Sequence, residues 1–187
     1  MMFGPSNLIL IVALAVAFAR PALAADWMMT PDSTLSLKGT IYGSATGAKF
    51  KSFKGAIKFD PNNLAASSIV VIVDMTSLYS GISESDSQVK EESWFNAAKF
   101  PVARFASKSI RALGGDKYEA AADLTMRGVT HEVTLPFTVS IAGKHAHATG
   151  KLTLSRLDYG IGKDFPDDTY VGRMVEVDID LGADQAP

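Results

Sequence analysis

The chain has 187 residues, a formal charge of −2 and no cysteine. The missing cysteine excludes disulfides, thiolate metal sites, cysteine nucleophiles and a lipid-modified N-terminal cysteine. Its 18 Lys and Arg are scattered among 20 Asp and Glu, which describes a poor nucleic-acid binder, because phosphate contacts need clustered cations.

Leu8 to Ala19 is an unbroken apolar run followed by Arg20-Pro21-Ala22-Leu23-Ala24-Ala25. A short apolar core ending in a small-x-small site is the pattern of a secretory signal peptide, with cleavage expected after Ala24. No Lys or Arg precedes the run, so the amino terminus alone supplies its positive charge. The run falls short of the roughly 20 apolar residues of a spanning helix, so no integral span is expected once residues 1–24 are removed. Losing Arg20 takes the charge from −2 to −3. An exported chain without disulfides depends on its core and belongs in a periplasm or the extracellular medium.

Residues 25–187 read as one domain dominated by period-two segments. Leu35, Leu37 and Ile41 alternate with polar residues, as do Phe53, Ile57 and Phe59. Ser67 to Met75 is apolar on both faces, as in a strand covered on both sides. Ser85-Asp86-Ser87-Gln88 resembles a capped helix start, with a short helix continuing through Trp94, Phe95 and Asn96, and Lys99-Phe100-Pro101 ending it. Its aromatics suit either a cover over one end of a barrel or a simple anchor to the core. Phe105 begins a further strand. Tyr118 to Met126, Val133 to Ile141, Leu152 with Leu154, and Val171 to Leu181 supply the rest. Turn residues at Asp60-Pro61-Asn62-Asn63, Gly114-Gly115-Asp116 and Arg127-Gly128 separate them. The expectation is an antiparallel all-β barrel or sandwich.

Leu35, Leu37, Phe53, Ile57, Phe59, Leu124, Met126, Val133, Leu135, Phe137, Leu152, Leu154, Val175, Val177 and Ile179 share the inward parity of their strands. They form either an ordinary packed core or the wall of an apolar cavity. Arg156 continues the face of Leu152 and Leu154, and Arg173 shares the parity of Val175 and Val177. A buried guanidinium needs partners. Two readings stand for Arg156: pairing with Asp158 on the same strand face, or reception of an anionic head group, a role open to Arg173 as well. Trp27 and Tyr42 are read as exposed aromatics available to a dimer face. His145 and His147 face solvent without an evident third ligand, so no metal is assigned. His131 reads as a strand-end residue with a satisfied hydrogen bond. There is no Gly-x-Ser-x-Gly, His-Glu-x-x-His or phosphate-cradling glycine loop, so neither catalytic residues nor a cofactor are assigned.

Four stretches, in order, resemble the YceI-like lipid- and polyisoprenoid-binding family. They are Phe53-Lys54-Gly55-Ala56-Ile57-Lys58-Phe59-Asp60, Trp94 through Phe105, Leu124 through Val133, and Ser155-Arg156-Leu157-Asp158-Tyr159-Gly160-Ile161. The resemblance implies an extended eight-stranded antiparallel barrel of lipocalin-like form, with a short helix around residues 85–96 and a long apolar cavity. It further implies a periplasmic carrier for an isoprenoid or fatty-acid-like lipid, and raises a homodimer. A lipid-acting hydrolase or isomerase, and a stress-related barrel with a closed core, are the competing readings. Two positions depart from the family: Asp32-Ser33 stands where His-Ser is usual, and Ser85-Asp86 where Arg-Asp is usual. Both losses concern groups expected to contact a polar head or shape the mouth.

Overall fold

Alternation along the chain translates directly into strands. On β8 (Lys117–Met126) Tyr118, Ala120, Ala122 and Leu124 are buried while the residues between them are not, which is the period of a half-buried strand. The computed structural model describes residues 24–187. The expected export signal, Ala24 apart, lies outside the described residues.

Two long strand paths are bent. β1 (Ala25–Met29) and β2 (Thr34–Ile41) both pair with β11 (Met174–Gln185) and are separated by a turn at Pro31, which has no N–H for a ladder. β3 (Ser44–Phe50) pairs with β2, and β4 (Phe53–Phe59) with β1, across a break at Lys51-Ser52. β5 (Ser68–Asp74), β7 (Val102–Gly114), β8, β9 (Val129–Ala142) and β10 (His145–Ser155) complete the ring between β4 and β11. With each bent pair taken as one strand, eight antiparallel strands close into a barrel. A two-residue strand, β6 (Leu78–Tyr79), borders β3. Tyr42-Gly43 and Arg127-Gly128 make two-residue hairpin turns with positive φ at both positions, a geometry that matches strand twist and that asparagine and glycine adopt most readily.

β7 is 13 residues long, although Phe105 alone marked it in the sequence. A bulge between Ser107 and Ser109 switches its inward parity. Ala103 and Phe105 face in before the bulge, and the buried Ile110 after it. One inserted residue thus erases the period-two signal.

The connection from β6 to β7 holds α1 (Ser83–Gln88), a short helix that starts earlier and ends sooner than the expected span. Ile82, not Ser85, is its N-cap residue, and Val89 to Phe100 folds as turns. The Asp86 carboxylate accepts from the Ser80 N–H and hydroxyl at 2.7 and 2.6 Å, which fixes the chain before the helix. After it, Phe95 N–H reaches Val89 O and Ala97 N–H reaches Lys90 O, spacings no α-helix makes. β10 likewise ends at Ser155, because Arg156–Tyr159 form a 3-10 turn. Val171 forms only an isolated bridge with Ile41, outside β11.

Candidate functional site

The barrel encloses a cavity of about 540 Å³, within the range of small-ligand sites. Its wall is built mainly from alternate residues along the strands. β2 supplies Leu35 and Leu37, and β4 supplies Phe53, Ile57 and Phe59. Leu124 and Met126 come from β8, Leu135 and Phe137 from β9, Leu152 and Leu154 from β10, and Val175, Val177 and Ile179 from β11. Val133 does not line the cavity. It packs instead against the core cluster that contains Tyr159, which the 3-10 turn carries into the barrel end.

Other wall residues carried weak sequence signals. Ile69, Val71 and Val73 of β5 lie on a segment apolar on both faces, where alternation is invisible. Trp27, read as exposed, is buried in the wall, and its indole N–H donates to Phe59 O at 3.0 Å. Tyr42 is 74% exposed. Trp94 and Phe95 cover one end of the barrel. Trp94 stacks on Phe165, whose ring meets Tyr170, which meets Tyr42 edge-on at 5.6 Å. Phe165 and Tyr170 flank Pro166-Asp167-Asp168 in a loop with no periodicity, so no sequence pattern marks them.

Arg156 is 5% exposed at the cavity wall. Its Nε donates to Gly172 O at 3.0 Å. One terminal nitrogen donates to Ile161 O and Gly162 O at 2.9 and 2.7 Å. The other donates to Val171 O at 2.8 Å and to Phe165 O. Five N–H groups therefore meet five main-chain carbonyls, the full donor capacity of a guanidinium. Neither sequence reading of this residue describes the bonding. Asp158 does not pair with it, because the strand has already ended, and its carboxylate accepts from Ser155 Oγ at 3.0 Å. No N–H remains for a head group. Burial pushes the guanidinium pKa below its ordinary value, with Arg173 adding to the effect and Asp168 opposing it. Arg173 itself is exposed and outside the cavity wall. Its side chain donates to Pro166 O at 3.2 Å.

The other charged wall residues also have protein partners. Lys38 meets Asp178 at 2.5 Å, and that hydrogen bond raises its pKa. Asp86 is held below the usual carboxylate range by the Ser80 hydroxyl and N–H. Among the described residues, the charged groups on the wall are Lys38, Asp86 and Arg156, and each is engaged. Asp32 and Ser33 lie away from the cavity: Thr30 Oγ1 donates to Asp32, and Ser33 Oγ to Gly182 O at 3.1 Å. That family departure leaves the wall untouched, whereas Ser85 and Asp86 do border the cavity.

On the outer face, His145 Nδ1 lies 2.6 Å from Asp184 and His147 Nε2 lies 2.7 Å from Asp180. His131 Nε2 is 3.2 Å from Asp158 O and its ring meets Tyr159 edge-on. Burial raises the Tyr159 phenol to about 12, and its hydroxyl has no hydrogen-bond partner among the described residues.

The family profile of the YceI-like domain matches residues 28–183. The chain belongs to the YceI-like family. A UPF0312 protein of Vibrio vulnificus is 34% identical over 128 residues, covering 66% of this chain and 68% of that one. Among solved structures, BcnA of Burkholderia cenocepacia is 30% identical with a TM-score of 0.78, covering 80% of this chain and 95% of BcnA. A polyisoprenoid binding domain from Saccharophagus degradans shares the fold at 14% identity and a TM-score of 0.69, over 87% of this chain and 99% of that domain.

Proposed function

We propose that this YceI-like barrel sequesters or carries a long-chain amphiphile in the periplasm without transforming it. The observation that carries the reading is the apolar cavity, whose three charged wall residues are all held by the protein. Such a wall rewards hydrocarbon, at roughly 0.8 kcal/mol per buried methylene, and offers no free ion to an anionic head. Polyprenyl lipids, isoprenoid quinones and fatty-acid-like chains all fit that chemistry. The description of the Saccharophagus degradans relative as polyisoprenoid binding favours the isoprenoids. Export rests on the Leu8–Ala19 run and the Ala22-Leu23-Ala24 site.

Trp27 and Trp94 both border the cavity, so ligand entry is readable in their fluorescence. Titration with a prenyl alcohol and with the matching diphosphate is expected to give saturable binding, the alcohol at least as tight as the diphosphate. Much tighter binding of the diphosphate would contradict the absence of an ion site, and no response to either would contradict the carrier reading.

A further inference from the structure

The hairpin of β2 and β3 reaches beyond the ends of β4 and β5, with residues 170–172 running beside β2 up to its tip. β4 begins at Phe53 opposite Val73, and β5 ends one residue later at Asp74. β3 continues past that level for roughly 20 Å of strand, paired with β2 on one side and with the two residues of β6 on the other. At its tip, Tyr42 borders the cavity together with Ile41, Ile82 and Tyr170. All four large side chains there are exposed, as is Tyr79 of β6. Tyr42 holds this position at φ 50°, a conformation that favours asparagine or glycine over an aromatic residue. A tyrosine is thus kept at the lip against local backbone preference.

Charge is distributed unevenly around this lip. From Ser33 to Phe59 the chain carries five lysines and no acidic residue, although the whole chain is net negative. Lys38 and Lys58 have carboxylate partners. Lys49, Lys51 and Lys54 are exposed and make no ion pair among the described residues. Lys51 Nζ lies 3.4 Å over the Tyr79 ring. Of the carboxylates on adjoining elements, Asp74 holds Thr76, Asp86 holds Ser80, Glu176 and Asp178 meet Lys38, and Asp167 and Asp168 accept from the Thr169 and Arg173 backbone N–H groups, while Glu84 of α1 and Asp164 are exposed.

We propose that the β2–β3 lip, β6 and the start of β4 form a docking surface for an anionic lipid bilayer, beside the exposed end of the cavity. Unpaired ammonium groups attract anionic headgroups, and tyrosine rings sit at the boundary between headgroups and acyl chains. A second copy is a poorer occupant, because a two-fold contact would set these lysines against each other. The proposal does not depend on which ligand the cavity holds.

Flotation of the isolated protein with phosphatidylcholine vesicles, with and without phosphatidylglycerol, tests it. Binding is expected only with the anionic lipid and is lost at high salt. At about fivefold per lysine, K49Q/K51Q/K54Q lowers partitioning on the order of 100-fold, while K117Q/K144Q at the opposite end leaves it unchanged. Y42N suits the turn better, so it is expected to keep the melting temperature and still bind several-fold more weakly. Failure of the wild type to float with anionic vesicles overturns the proposal, as does undiminished binding by the triple lysine variant. A dimer in sedimentation that the lysine substitutions abolish, without vesicle binding, overturns it in favour of a second copy.

Discussion

Replacing Arg156 by methionine keeps an unbranched apolar stem and removes the five N–H groups that satisfy Gly172, Ile161, Gly162, Phe165 and Val171 carbonyls. Hydrogen bonds to a charged group contribute about 1.5–3 kcal/mol each, but the five do not add. The loop they hold spans residues 161–172 and can relax to hydrate its carbonyls, and the wild type bears the desolvation of a buried cation. A net loss of about 3 kcal/mol follows, near the lower bound for breaking a buried charged contact. For a chain of this size that lowers the melting temperature by about 6–12 °C. Thermal unfolding by circular dichroism measures it, and hydrogen exchange should show protection lost first across residues 161–172. Because Phe165 and Val171 border the cavity, affinity for a prenyl alcohol and its diphosphate should fall together. R156K keeps the charge but not the planar fork and is expected to lie between. An unchanged melting temperature, or a loss confined to the diphosphate, would refute the assignment of Arg156 to the loop.

Tyr159 makes stability fall at high pH. Its phenol stays protonated in the fold to about 12 but ionises near 10 when unfolded, so between those values the unfolded chain releases the proton first and stability drops as pH rises. Y159F should remove a loss on the order of 2 kcal/mol across that window and leave stability at neutral pH unchanged or higher, since the hydroxyl has no partner; urea midpoints from pH 8 to about 12 would show it. Gly162 has φ +61°, and a Cβ there would stand 2.8 Å from Arg156 Nη1 and 2.9 Å from the Trp94 ring, whereas Gly143 has φ +64° and open space. G143A should lose about 1–2 kcal/mol from backbone conformation alone, and G162A clearly more; equal chemical midpoints for the two would contradict the crowding around Arg156.

The fold was legible wherever a strand covers only one face. β8, β9 and β11 show a plain period of two, and their inward residues Leu124, Leu135 and Val177 stand on the wall. Alternation fails where geometry is not periodic. The bulge in β7 inverts parity after Ser107, and β5 is half-buried along its whole length. Strand parity puts Arg156 on an inward face, but its partners lie in a loop that reaches it only once the 3-10 turn has formed. Side-chain parity assumes that the strand continues, and here it stops one residue too soon. Phe165 and Tyr170 took their places through ring contacts between distant segments, for which a single sequence carries no pattern.

The proposed carrier role requires an open apolar cavity that takes up one lipid chain. Native mass spectrometry of the protein with a polyprenol added is its most direct test, compared with A148W, which places an indole at a wall position on β10 flanked by Val139 and Leu181. The account predicts a one-to-one adduct for the wild type and little or none for A148W. A wild-type protein that shows no mass shift, or an A148W variant that binds as well, would contradict it.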